Sequence, residues 1–266
     1  MGIIMNSIND LNKIKLFVLD MDGTFYLGDS IISGSLDFLK KVEELGREFI
    51  FFTNNSSKNS ESYRLKLQKL GCNVTSDRVI TSGDVTINYL KKNYASKKVY
   101  LLGTKFLEDS FKSSEILLVD DKPDIVVVGF DTDLTYEKIY KACTFIRQGS
   151  IFLATHLDLN CPTEDGFLPD CGAMCAMITA ATGIKPIFMG KPFKETIDYV
   201  LDYTGYKKEE ITFVGDRLYT DIAIGVYNGV TSILVLSGET KLEDLESSDI
   251  KPDYIFDSLL HISESI

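Results

Sequence analysis

Two aspartates one position apart, Asp20 and Asp22, close the apolar run of residues 16–19. A run with no polar face is that of a strand buried on both sides in a parallel sheet, and Gly23-Thr24 then turns the chain. Carboxylates so placed can hold a hard cation and still leave an oxygen for chemistry. Three more apolar runs end in polar groups: residues 49–52 in Thr53-Asn54-Asn55-Ser56-Ser57, residues 187–189 in Gly190-Lys191-Pro192, and residues 211–214 in Gly215-Asp216-Arg217, with Asp221 five positions on. Singly, each has an ordinary explanation. A Lys before Pro is usually solvated, a Thr-Asn-Asn cluster is loop chemistry, and G-D-x-x-x-x-D is a turn leading into a helix cap. Together they read as a site, because the carboxyl ends of strands in one parallel sheet share an edge where ligands bind.

Three acids in one place repel, and a divalent metal relieves that repulsion. Mg²⁺, with its preference for oxygen ligands, would take the Asp20 and Asp216 carboxylates and the main-chain carbonyl of Asp22. Asp221 completes the metal set as an outer acceptor that orients a water or Lys191. A phosphate fits the other groups: the Thr53 hydroxyl, the backbone N–H groups around Asn54 and Asn55, and the Lys191 ammonium. In that arrangement Asp20 attacks phosphorus to form an aspartyl-phosphate. Asp22 protonates the leaving oxygen and then deprotonates the hydrolytic water, and Lys191 neutralises charge on the transferring phosphoryl group.

The elements needed to position these groups follow from hydropathy. Helical spacing runs over residues 35–45, 63–70 and 195–203, two of them stopped by Gly46 and Gly71. Residues 79–80 are strand-like and lead to a turn at Thr81-Ser82-Gly83. Residues 25–33, with Gly28-Asp29 at the centre, read as a small hairpin beside the acids, and residues 231–236 and 254–256 as closing strands. Alternation of strand and helix argues for a parallel sheet with crossovers. Yet 138 positions separate Thr53 from Lys191, where a βαβ unit needs about 30 residues. The excess holds strand patterns at 99–102, 125–128 and 151–154 and helical ones at 136–146 and 172–182. The expected fold is therefore α/β, a Rossmann-like parallel-sheet core domain (1–83 and 181–266) with an inserted smaller α/β cap domain (84–180).

The formal charge of -11, from 39 acids against 28 bases, weighs against nucleic acid or an anionic membrane as partner. Five scattered cysteines, with no paired Cys or His set to complete a zinc site, read as inert thiols of a reducing compartment. The N-terminal M-G-I-I-M-N-S has neither a signal peptide's charged and apolar regions nor the acylation pattern. A cytoplasmic protein is expected, in which the N-x-S/T matches at Asn55 and Asn73 are chance.

D-M-D-G-T at 20–24, T-N-N-S-S at 53–57, G-K-P at 190–192 and G-D-R-L-Y-T-D at 215–221 resemble the four motifs of the haloacid dehalogenase-like (HAD) hydrolases. The large module between the second and third motifs, P-D-C-G-A near residue 170 and L-V-L-S-G at 234–238 resemble the NagD-like, p-nitrophenylphosphatase branch, which carries a type 2 cap. The resemblance implies a Mg²⁺-dependent phosphatase of small phosphorylated metabolites: sugar phosphates, nucleoside monophosphates or aryl phosphates, with pyridoxal phosphate and phosphoglycolate as alternatives. It also implies a homodimer formed through the cap. Relatives place a His in the cap loop where this chain has Asn160, so Asn160 is the corresponding substrate contact and Asp158, Asp170 and Cys171 its neighbours at the cap's substrate edge. His156 is expected to pack locally. Metal-free dehalogenation is disfavoured by Asp22 and Asp216, and a P-loop kinase by Pro192 after Lys191. A phosphomutase would need a helical cap before Thr53, where there is no room. A catalytically idle phosphometabolite-binding protein is the rival from another class.

Overall fold

The structure is a computed structural model that describes residues 8–163 and 166–266. Residues 1–7, read above for targeting signals, lie outside the described residues. In chain order the first strands are β1 (Leu16–Leu19), the short hairpin β2 (Tyr26–Leu27) and β3 (Ser30–Ile31), β4 (Glu48–Thr53) and β5 (Val79–Thr81). There follow β6 (Val99–Leu102), β7 (Ile125–Val128), β8 (Ile151–Ala154), β9 (Asn160–Thr163), β10 (Gly166–Pro169) and β11 (Ile187–Phe188). The chain closes with β12 (Ile211–Gly215), β13 (Thr231–Val235) and β14 (Tyr254–Phe256).

By its internal contacts the chain divides into two compact units: Met1–Thr53, Arg64–Ile80 and Lys191–Ile266 in the first, Asn54–Tyr63 and Thr81–Gly190 in the second. The first is built on a six-stranded sheet of order β14-β13-β12-β1-β4-β5. All four residues of β1 are buried, as a strand covered on both faces requires. Phe17 packs edge-to-face on Phe38 of the helix Ser35–Glu44 at 5.3 Å between centroids. The chain runs outward from β1 to β4 and β5 on one side, and from β12 to β13 and β14 on the other. Strand order thus reverses between β1 and β12, and at such a switch point two strand ends open a crevice that no connection covers.

The second unit has its own four-stranded sheet, β11-β8-β7-β6, parallel throughout. Its core includes Tyr100, Val126, Val128, Phe152 and Ile178, the last from the helix Cys171–Thr182. Two local readings need correction. The strand before Lys191 does not join the β1 sheet; Ile187 and Phe188 pair with Leu153 and Ala154 of β8. A two-residue apolar run fits either sheet, and only pairing partners decide. Thr81-Ser82-Gly83 is not a turn between strands but the start of the helix Ser82–Asn93. Thr81 caps it, and the Asp84 side chain reaches back to the Thr81 N–H in a reciprocal capping box. Among the described residues no helix is long and apolar enough to cross a membrane. All five cysteines are free thiols, with Cys161 the partly exposed one.

Candidate active site

Register puts the strand ends level. Leu19 pairs with Val214 of β12 and with Phe51 of β4, and the Asp20 N–H donates to Val214 O at 2.8 Å. Asp20 therefore leaves the sheet between Gly215-Asp216 on one side and Phe52-Thr53 on the other. Into this crevice comes Lys191, 2% exposed. Its Nζ lies 2.6 Å from Asp20 Oδ1 and 2.6 Å from Asp221 Oδ1, and donates to Phe52 O at 3.3 Å. Asp20 Oδ1 and Phe52 O accept from the ammonium, and Asp221 faces it as a second negative charge. Burial works against that charge, but Asp20 and Asp221 outweigh it and raise the lysine above its ordinary value.

Asp20, Asp216 and Asp221 each offer a carboxylate oxygen, and these lie within 4.8 Å of one another. Burial, reinforced by the charges of Asp221 and Asp216 and opposed by Lys191, holds Asp20 well above the usual carboxylate range. Burial, then the charge of Asp221, pushes Asp216 up to about 7. Ionising all three carboxylates would set three negative charges against one ammonium in a poorly hydrated crevice. An all-oxygen set with that deficit fits a divalent hard cation.

Asp216 is held tightly. Thr24 Oγ1 donates to its Oδ1 at 3.3 Å and the Glu239 N–H to its Oδ2 at 2.7 Å. Two glycines close around it. Gly23 has a φ of +87°, and a Cβ there would meet Asp216 Oδ2 at 2.4 Å; one at Gly238 would meet the same oxygen at 2.0 Å. Asp216 has no slack to yield. Gly238→Ala is expected to turn this carboxylate out of place and raise the divalent-cation concentration for half-maximal activity by about 10- to 100-fold, the usual effect of disturbing a metal ligand's support. A metal titration of activity measures it; an unchanged midpoint would show that Asp216 does not hold the ion.

Asp221 stands on a π-helical turn, Leu218–Ile222, a wide turn frequent at functional sites, and accepts from the Arg217 N–H at 3.1 Å through Oδ2. Asp22 is not part of the three-acid cluster by its carboxylate. It lies three residues beyond Leu19, half-buried, and burial, partly offset by Lys66 and Arg217, raises it above the usual range. A carboxyl that holds its proton more readily than a solvated one suits an acid-base part. Thr53 ends β4 and is 8% exposed.

Asn54, Asn55 and Asn160 belong to the second unit. Asn54 Nδ2 donates to Asp158 Oδ2 at 2.8 Å. Asn55 Oδ1 accepts from the Ser57 N–H and hydroxyl at 3.0 and 2.7 Å, and both side chains are thereby committed. Asn160 is exposed at the start of the β9–β10 hairpin, paired with Pro169. Asp170 caps the helix Cys171–Thr182 through the Cys171 N–H and bonds His156 Nε2 at 2.8 Å. Sequence reasoning missed Gly238, Glu239 and the part Asp158 plays against Asn54. The L-V-L-S-G run was the one signal pointing to the first two.

The chain resembles known proteins over nearly its whole length. Residues 17–116 match the family described as haloacid dehalogenase-like hydrolase and residues 188–262 that described as HAD-hydrolase-like. An acid sugar phosphatase of Staphylococcus aureus is 33% identical over 94% of this chain and 96% of its own length. A 4-nitrophenylphosphatase from Thermotoga maritima superposes with a TM-score of 0.93 at 45% identity, covering 97% of this chain and 99% of the other. NagD from Escherichia coli K-12 gives 0.86 at 31% identity, covering 93% and 97%. The chain belongs to the haloacid dehalogenase-like hydrolases, in their NagD-like branch.

Proposed function

We propose that this phosphatase hydrolyses phosphate monoesters of small metabolites, sugar phosphates first among them, through an aspartyl-phosphate on Asp20. The supporting observation is the chain of contacts from Asp20 through Lys191 to Asp221, 2.6 Å at each link, with Asp216 in the same cluster. Asp20 attacks phosphorus in line, and the bond to the leaving oxygen breaks as Asp22 delivers its proton there. Asp22, now a carboxylate, takes a proton from water. That water attacks phosphorus and releases inorganic phosphate and the Asp20 carboxylate. Lys191 holds Asp20 in place and neutralises charge on the phosphoryl oxygens. Asp20, Asp216 and Asp221, with the main-chain carbonyl of Asp22, would hold Mg²⁺, which when bound supplies further charge neutralisation. Thr53 and the peptide groups of Asn54 and Asn55, next to it in the chain, are the phosphate donors in this reading. Asn160 is the residue of the insertion assigned to the rest of the substrate. Sugar phosphate leads because the Staphylococcus aureus relative is named for that substrate. A cytoplasmic enzyme that pairs through its inserted segment, residues 84–180, belongs to the same reading.

Phosphate release from a panel of sugar phosphates, nucleoside monophosphates and p-nitrophenyl phosphate is expected to be lost in chelator and restored by Mg²⁺. Turnover indifferent to chelator would remove the metal from the mechanism. No release from any of the panel would remove the substrate class.

A further inference from the structure

The loop after β4 is braced from within the second unit. The Ser82 hydroxyl donates to Asn54 O, Tyr63 Oη to Asn55 O at 3.2 Å, and Thr104 Oγ1 to Ser57 O at 2.8 Å. A peptide is planar and trans, so fixing one residue's carbonyl fixes the next residue's N–H in the opposite direction. Ser82 thus aims the Asn55 N–H, and Tyr63 aims that of Ser56. The Asn54 side chain is committed to Asp158 and that of Asn55 to Ser57.

Behind Ser82 stands His156, wholly buried. Its Nδ1 lies 3.3 Å from Ser82 Oγ and 2.9 Å from Thr155 Oγ1, and its Nε2 lies 2.8 Å from Asp170 Oδ1. Counting hydrogens sets the ring's state. The one hydrogen of Ser82 goes to the Asn54 carbonyl, which can only accept, and that of Thr155 to Cys171 Sγ at 3.7 Å, so toward His156 both hydroxyls are acceptors and Nδ1 carries a hydrogen. Asp170 Oδ1 already accepts from the Cys171 N–H at 2.6 Å and accepts again from Nε2, which therefore carries a hydrogen too. We infer that His156, protonated on both nitrogens, is a positioning residue: with Asp170 behind it, it orients Ser82, which aims the Asn54–Asn55 peptide as a phosphate donor. This rests on the phosphatase reading above. The electrostatics agree: burial alone would lower the imidazole, but Asp170, then Cys171 and Asp158, overcome it and raise it to about 9.

The test has two parts. The chain has two histidines, so His261→Asn assigns the ¹⁵N imidazole resonances of His156 directly. Both nitrogens are expected to be protonated at pH 7.5; a neutral, singly protonated ring overturns the inference. Ser82→Ala is expected to raise KM for p-nitrophenyl phosphate and the inhibition constant of inorganic phosphate about 10-fold, the scale of one hydrogen bond to a charged ligand. The turnover number should change far less, and the thermal midpoint by a few degrees. The pair His156→Asn/Asp170→Asn, which leaves no buried carboxylate unpartnered, should reproduce that split. Unchanged KM and phosphate inhibition in both variants overturn the positioning role while leaving the phosphatase reading intact. Wild-type protein that neither turns over p-nitrophenyl phosphate nor binds inorganic phosphate overturns both.

Discussion

Asp20→Asn is expected to abolish turnover of p-nitrophenyl phosphate, by about 10⁴-fold or more, the scale seen when a covalent nucleophile is removed, while the protein stays folded. The amide is nearly isosteric and its oxygen can still accept from Lys191, which now lies 2.6 Å from Asp20 Oδ1. Lys191 also keeps Asp221 as a charged partner, so no buried ammonium is stranded. One of three mutually repelling acids becomes neutral, and the desolvation that holds Asp20 above its ordinary range no longer opposes folding. The thermal midpoint without metal should therefore hold or rise. Steady-state assay and a melting curve on the same preparation check both halves. Residual turnover within about 10-fold of wild type would move the nucleophile elsewhere.

The opposite behaviour is expected of Lys191→Met. Methionine fills most of the volume but leaves Asp20, Asp216 and Asp221, with oxygens within 4.8 Å of one another, without their buried cation. Breaking a buried ion pair from one side costs about 3–5 kcal/mol, which in a chain of this size is a fall on the order of 10 °C in the metal-free midpoint. Activity should fall with it, since the group that holds Asp20 and faces the phosphoryl oxygens is gone. Mg²⁺ should recover more stability in the variant than it adds to wild type, because it meets a larger charge deficit. A metal-free midpoint equal to wild type would mean that Lys191 does not offset the acids, and the electrostatic account of the site would fall.

These two substitutions are neighbours in space and 171 positions apart in the chain, which bears on how much could be read beforehand. The site acids were legible because each follows an apolar run, and a strand buried on both faces leaves the first polar residues after it as the place for chemistry. The helix Ser82–Asn93 was not, because Thr-Ser-Gly has turn composition and becomes a helix start only when Thr81 and Asp84 cap each other. Nor was the sheet that receives β11, since Ile187 and Phe188 carry no mark of their partner.

By itself, then, the amino-acid sequence determined which residues could react: four polar endings, an α/β alternation around them and an insertion too long for a crossover. Those are properties of local pattern, written within a few positions of each residue. Only the tertiary structure decided that Lys191 would be shared between Asp20 and Asp221, that two glycines would close on Asp216, and that a buried histidine would stand between Ser82 and Asp170. Each depends on strand register and on side chains brought within 3 Å or so of one another from distant parts of the chain. No local preference encodes such a distance; it exists once the sheet has formed.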